Sequence, residues 1–566
     1  MTNTSPDHWF MPAGELPREP HYTSENQVLA LTDGETYFTH LAARLSAMQG
    51  GYLHLAGYRV TPQIPLLPAT SPPGPMLVDQ LTGLIARGVT VRCAVWYLPT
   101  SIMTLFYRPL PFRRFNHHKD NVDIVQAIND AASRGKTRSA AILDQRLVFP
   151  FTYAPTTLAS HHQKNVLLRS ENHDWAYVGS IDLAVDRWDT PAHDSPTARP
   201  REYWDAFHDV QCVLRGPAVA QIWENFRQRW NDTTPPAKWP SPLPIVVPPP
   251  ITEPPPVPAS YGTQHVQVLR TLACQGVYPF APSGEQSARK ALERAISLAE
   301  HYIYIEEQFF WPCSVVDSLQ KAVKRNPSLK VVIVLAEELE FGFPLRSMHH
   351  EMRNEAIAAV TGSSKGQVFV YCLEQLGSRN PIYVHAKLTI IDDCFVALGS
   401  VNVNKRSLTT DTELHLGIVD GKAIGGSMGG VTVPVCEFAR DLRVQLWAEH
   451  LGVPDPTRLA DPIVALSLWP DWSKSSPASP SRVHHALCYH PRNEKASLID
   501  WIEILRSLRQ AFPKLPPPWD TLIDLDEAIA AAGSAGTAIS ELVLAPFLFS
   551  LRGLLKDYVM NIETTC

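Results

Sequence analysis

The chain carries one pattern twice, on either side of a proline-rich break, and that repetition limits its fold more than any other feature. In the first part "TYFTHLAARLSAMQGGYLHLAGYRV" (36–60) reads as an amphipathic helix, a glycine turn and an apolar strand. In the second part "SARKALERAISLAEHYIYIEEQFF" (287–310) reads the same way. "LTGLIARGVTVRCAVWYL" (81–98) and "LQKAVKRNPSLKVVIVLAEEL" (319–339) each add a helix, a turn and a buried strand. Helices alternating with continuous apolar strands predict an α/β fold with helices on the sheet faces. The same order repeated predicts an internal duplication. The break itself, 235–258, has proline at 12 of 24 positions, which favours extended chain over helix or sheet. We therefore expect an N-terminal half over 1–234, a linker over 235–260, a C-terminal half over 261–470 and a helical extension over 471–566. No role is assigned to that extension.

Each half then reaches a His-x-Lys pair. The first is His162 and Lys164 in "SHHQKNVLLRS" (160–170); the second is His385 and Lys387 in "VHAKLTIIDDCFVALGS" (384–400). Side chains on a strand alternate faces with period two, so both members of a pair project side by side. That presents a nucleophilic imidazole next to a fixed positive charge. An apolar return strand and a Gly-Ser turn follow in both halves, at Gly179-Ser180 and Gly399-Ser400, and the second turn brings Asn402 back beside its pair. One His-x-Lys among 21 histidines is an accident; two at equivalent points of a repeat predict one device built twice.

These residues resemble the signature of the phospholipase D superfamily, H-x-K-x4-D followed by G-[GS]-x-N. The second copy carries all of it: His385, Lys387, Asp392, Gly399, Ser400 and Asn402. The first matches at His162, Lys164, Gly179 and Ser180 but has Arg169 at the aspartate position and Asp182 at the asparagine position. From lysine to glycine is 15 residues in the first copy and 12 in the second, which predicts a longer hairpin turn, "RSENHDW". In it Glu171, Asn172 or Asp174 is expected to take over the structural task of Asp392. "GSIDLAVDRWDTPAH" (179–193), "HDVQCVLRGPAV" (208–219), "IYIEEQFF" (303–310) and "NVNKRSL" (402–408) with "DTEL" (411–414) are similar to segments of the lipid-cleaving branch.

The resemblance covers roughly residues 25–450. It implies two similar α/β/α-layered domains forming a pseudo-dimer around one site. It implies phosphodiester hydrolysis through a phosphohistidine, with His162 as nucleophile and His385 as acid and base. Lys164, Lys387 and Asn402 then meet the non-bridging oxygens, and Ser180 and Ser400 join them as substrate-binding residues. Asp209 is expected to orient His162, and Glu413 to orient His385, with Asp411 as the alternative to Glu413. Asp392, Gly179, Gly399 and Asp182 are expected to be structural. Transfer to alcohols is a second activity of this chemistry. A nuclease or other phosphodiesterase of the same superfamily, or a catalytically dead lipid-binding relative, stays open beside it.

The resemblance implies no metal and no cofactor. "HHALCYH" (484–490) has loosely metal-like spacing but no second ligand pair follows, and "MHHEMRNE" (348–355) lacks the order of a zinc-protease helix. A net charge of −6 argues against a chain that grips nucleic acid by its charge. The expected partner is a phospholipid membrane surface, met from the water side. No window reaches 18 uninterrupted apolar residues, so no transmembrane segment is expected. The start lacks a basic and an apolar region, which predicts a soluble protein, cytoplasmic as synthesised. Export without a cleavable signal, as for bacterial antibacterial effectors, stays open.

Overall fold

The computed structural model describes residues 3–485 apart from 69–72, 98–116, 146–158, 172, 195–205, 233–240, 245–246, 274–277, 338, 340–344, 379 and 471–480. The expected helical extension therefore lies outside the described residues beyond 485. The repeat becomes two sheets with one strand order. The first runs Ala140–Asp144, Thr90–Trp96, Tyr52–Gly57, Asn165–Ser170, His173–Gly179, Val210–Arg215 and Thr23–Thr32. The second runs Val368–Glu374, Lys330–Leu335, Tyr302–Glu307, Leu388–Ile391, Phe395–Gly399, Glu413–Asp420 and Gln264–Leu272. In each, two parallel pairings are followed by four antiparallel ones. The sheets meet where Thr23–Thr32 pairs with Gln264–Leu272.

Helices cover both faces, because the strands are apolar on both. On the first sheet, Asp33–Ala47, Leu77–Ala86 and His117–Gly135 bury Phe38, Leu41, Leu84 and Ile128 against Leu53, Leu55, Val91 and Val166. The opposite face packs on Ala218–Trp230, where Phe226 stacks on His54 at 4.7 Å. On the second sheet, Trp447 of Glu437–Leu451 meets Tyr302 and Tyr304 edge-on. This is the α/β/α layering expected. The proline-rich segment is strapped down: Trp230 donates to Pro249 O at 2.9 Å, and Asn231 and Ile251 exchange two hydrogen bonds of 2.8 Å. Residues 9–18, counted with the first half by sequence order, pack on the second. Trp9 stacks on Phe395, the Met11 N–H donates to Gln267 Oε1, and Arg18 pairs with Glu285.

The two motif hairpins differ as their spacing demands, but not in the way expected. The first has six cross-strand pairs, ending at Ser170↔His173, and a two-residue turn. The second has four, ending at Ile391↔Phe395, and a three-residue turn. The extra length is strand, not turn. Asp392, at φ +53°, accepts from the backbone N–H groups of Glu300 (2.7 Å), His301 (2.9 Å) and Tyr302 (2.7 Å), and so ties the hairpin to the strand beside it. In the first half the equivalent corner is Gly50-Gly51, where a Cβ at Gly51 would collide with the Arg169 carbonyl. Ser170 Oγ, rather than Glu171 or Asp174, accepts there, from the Gln49 N–H at 3.3 Å. Asn172 lies outside the described residues. Arg169 faces Asp174 across the hairpin at 3.8 Å.

Equivalent positions thus carry unequal loads. Asp392→Ala strands three amide donors and is expected to cost about 2–4 kcal/mol of stability. Arg169→Ala takes a partly exposed guanidinium from a 3.8 Å pair with buried Asp174 and is expected to cost about 1 kcal/mol, less than Asp392→Ala. Urea unfolding of the two variants checks this; equal losses would contradict it.

Candidate active site

Neither His-x-Lys pair lies within a strand; each precedes one. The approach to each pair crosses to the other half. Pro381–Val384 pairs in parallel with Ala206–His208, and the His385 N–H donates to His208 O at 2.8 Å. His161 bridges in parallel to Thr412, and the His162 N–H donates to Thr412 O at 2.9 Å. His208 and Thr412 immediately precede Asp209 and Glu413. Each histidine is therefore held next to the carboxylate of the opposite half. His162 Nδ1 lies 3.0 Å from both Glu413 oxygens, and His385 Nδ1 lies 2.8 Å from Asp209 Oδ2. This corrects the expected pairing, which kept Asp209 with His162 and Glu413 with His385. Asp411 is not an orienter of His385 either. It accepts from the Ser160 N–H at 2.7 Å and pairs with Arg406 at 3.0 Å.

The Gly-Ser turns serve the carboxylates. Ser180 Oγ donates to Asp209 Oδ1, and Ser400 Oγ donates to Glu413 Oε2. Both serines are fully buried, so their hydroxyls are committed to the dyads and not to substrate, contrary to expectation. The glycines before them are steric: a Cβ at Gly179 would sit 2.7 Å from Gln211 Cα, and one at Gly399 2.5 Å from His415 Cα.

The two lysines enter the same space. Lys164 Nζ donates to His162 O (2.9 Å), lies 3.7 Å from Asp182 and stands over the Tyr58 ring at 4.9 Å. Asp182 also accepts from the Arg59 N–H at 3.2 Å. Lys387 Nζ donates to Gln308 Oε1 at 3.1 Å and to His385 O. Asn402 is buried, and its Oδ1 has no hydrogen-bond partner among the described residues. Sequence reasoning gave no role to three neighbours. The Tyr58 ring meets His162 edge-on at 5.1 Å, the Arg187 guanidinium lies over Phe207 at 4.4 Å, and Phe207 lies 5.4 Å from the His385 ring. Arg187 stood inside the quoted segment 179–193, but a lone arginine there carries no signal of its fold-back.

Burial sets the protonation states. It pushes the His162 and His385 imidazoles well below their usual value, helped by Lys164 and Lys387 at His162 and by Lys387 and Arg187 at His385. It pushes Asp209 up to about 6, against the pull of Lys387. Burial and then the Asp411 carboxylate push Glu413 up, while Lys164 and the Ser400 hydroxyl oppose them. Burial also lowers Lys164, and holds Lys387 at about 8 although Asp209 and Glu307 favour its charge. The site thus gathers two neutral imidazoles, each anchored at Nδ1, with cations on both sides.

A family model described as Phospholipase D matches residues 151–334 and 351–466. Phospholipase D1 of Schizosaccharomyces pombe is 28% identical over 378 residues, covering 52% of this chain and 27% of that protein. Phospholipase D beta 1 of Arabidopsis thaliana is 24% identical over 499 residues, covering 65% of this chain and 44% of that protein. Phospholipase D1 of Homo sapiens is 28% identical over 328 residues, covering 49% of this chain and 29% of that protein. The chain spans less than half the length of each of these relatives.

The crossed dyads are testable without turnover. In histidine-labelled protein, the downfield Nδ1–H resonance of His162 is expected to vanish in Glu413→Gln and survive in Asp209→Asn. The resonance of His385 is expected to do the reverse. The opposite assignment would restore the uncrossed pairing.

Proposed function

The chain belongs to the phospholipase D family, and on that premise we propose that it hydrolyses the distal phosphodiester of glycerophospholipids such as phosphatidylcholine, releasing phosphatidic acid and the head-group alcohol. The observation that carries this reading is the pair of crossed dyads with two buried lysines beside them. In the first step His162 Nε2 attacks phosphorus, a P–N bond forms and the P–O bond to the head group breaks. His385 Nε2 gives its proton to the departing oxygen. Water then gives a proton to His385, its oxygen attacks phosphorus, the P–N bond breaks and phosphatidic acid leaves. An alcohol in place of water gives transphosphatidylation.

The charges support this order. Burial depresses His385 most and its positive neighbours add to that; a phosphodiester anion among them offsets their part and so favours the imidazolium needed as acid. Lys164 and Lys387 donate to the non-bridging oxygens, and the Asn402 Nδ2 amide group joins them as a donor. The position of Arg169 supports a working site over a dead one. It lies five residues beyond Lys164 on an extended strand, about 16 Å along it. Among the described residues no helix is long and apolar enough to cross a membrane, so the proposed contact with lipid is peripheral.

Choline release from phosphatidylcholine vesicles tests the reading. His162→Ala and His385→Ala are each expected to lower the rate by about 10³-fold or more; near-normal turnover in either would end the shared-site mechanism. Cleavage of single-stranded DNA without choline release would favour a nuclease. Lys387 adds a pH signature. With its pKa lowered to about 8, it is charged below that pH and neutral above. Since kcat/KM reports the free enzyme, it is expected to fall as pH rises through about 8. A profile flat to pH 10 would remove Lys387 from phosphate binding.

A further inference from the structure

Six of the nine cysteines lie among the described residues, and all six are buried. Cys93, Cys212 and Cys372 stand inside strands of the two main sheets. Cys394 and Cys436 stand elsewhere, and they stand together. Cys394 is the last residue of the three-residue turn of the second motif hairpin, directly after Asp392 and Asp393. Cys436 ends a ribbon of two strands, Ala423–Met428 and Val431–Cys436, and immediately precedes helix Glu437–Leu451. The two thiols are hydrogen-bonded to each other. The Cys436 N–H donates to Asp393 O at 2.8 Å and also faces the Cys394 sulfur. A backbone hydrogen bond of this kind keeps two chain segments about 5–6 Å apart at their α-carbons, which is the span of a disulfide.

The two sides of the pair are held unequally. The turn is pinned by Asp392, which takes three backbone amides, and by Asp393. The latter accepts from Arg443 at 2.8 and 2.9 Å and from the Tyr302 hydroxyl at 2.6 Å. The ribbon has only its own two strands, and among the described residues it pairs with neither main sheet. Its exposed tip, Gly429-Gly430-Val431, hangs on Asp461, which accepts from the Gly429 and Gly430 N–H groups at 2.9 and 2.8 Å. Such an element opens locally while the core stays folded.

We propose that Cys394 and Cys436 are a modification site, which a small-molecule disulfide such as oxidised glutathione converts into an intramolecular disulfide. Once the ribbon opens, one cysteine, as thiolate, attacks a sulfur of the oxidant. A mixed disulfide forms and one glutathione thiolate leaves. The second cysteine, also as thiolate, attacks the protein sulfur of the mixed disulfide and releases the other. The two cysteines lose two protons and two electrons, and the oxidant leaves as two thiols. In the closed state the Cys436 thiol and burial push the Cys394 thiol up, so it stays protonated and unreactive, and opening sets the rate. The bridge ties the Asp392–Asp393 corner covalently to the helix that Arg443 already fastens to it. It closes a loop from 394 to 436, which restricts the unfolded chain. It forms in an oxidising compartment and not in a reducing one. None of this depends on which phosphodiester the site cleaves.

The test incubates the full chain with oxidised glutathione, in urea kept below the unfolding transition so that the ribbon opens. Remaining thiols are then alkylated and the peptides mapped. The expected product is one peptide pair joined through Cys394 and Cys436, with Cys93, Cys212 and Cys372 recovered alkylated. Tm is expected to rise by about 3 °C or more and to return after dithiothreitol. No rise is expected in Cys394→Ser or Cys436→Ser. Should either variant fail to fold, the wild-type peptide map decides. Recovery of Cys394 and Cys436 as free thiols, as glutathione adducts or joined to other cysteines overturns the proposal. So does a rise in Tm that survives in a folded variant, because the bridge responsible then lies elsewhere.

Discussion

Two backbone hydrogen bonds decide the geometry of the site: His162 N–H to Thr412 O and His385 N–H to His208 O. Each fastens a motif segment of one half to the residue before a carboxylate of the other. From them follow the crossed dyads, the shared space of the two lysines and the placing of each Gly-Ser turn. Neither half alone has an oriented imidazole. The buried charges depend on the same crossing, because a carboxylate or ammonium at this depth is tolerable only with partners on several sides. Glu413 meets His162 and Ser400; Asp209 meets His385 and Ser180.

How much of this the residues announce depends on the range of the interaction. The repeated helix-strand pattern foretold the α/β layers, since period and apolar runs are local properties, and it foretold that both halves share an order of strands. The His-x-Lys pairs, Asp209, Glu413 and Asn402 were recognisable because they come as motifs. Their partners were not. Periodicity contains no term for a segment that leaves its own sheet, so the dyads looked uncrossed. Nor does Ser180 or Ser400 say which way its hydroxyl turns; that is settled by a carboxylate 13 or 29 residues further on. The cluster of Asp33, His193, His208 and Glu449 behind Asp209 escaped for the same reason. Its four members are spread from Asp33 to Glu449, with no spacing to betray them.

The hairpins show a duplication relaxing where the chemistry permits. The second half ends its strand with Asp392 and three amide donors; the first ends two pairs later on Ser170, against a glycine corner. Both solve one problem, closing a corner without orphaned amides. The aspartate of the motif is one solution among several, which is why an arginine can stand at its position in the other copy. Asp182 and Asn402 diverge similarly. One has become the carboxylate beside Lys164, while the other keeps an amide with an unpaired oxygen.

Divergence also separates what stands behind the two dyads. Glu413 is backed by Asp411 and Arg406, with Asp411 also holding Ser160 at the entry to the first motif. Asp209 is backed by Asp33 and His208, a buried set that draws on both halves. Burial raises both carboxylates; Asp411 adds to it at Glu413, while Lys164 there and Lys387 at Asp209 pull the other way. The two imidazoles thus face carboxylates with different neighbours within one symmetric frame. A reaction with one nucleophile and one acid requires such a difference in surroundings of two otherwise equivalent histidines.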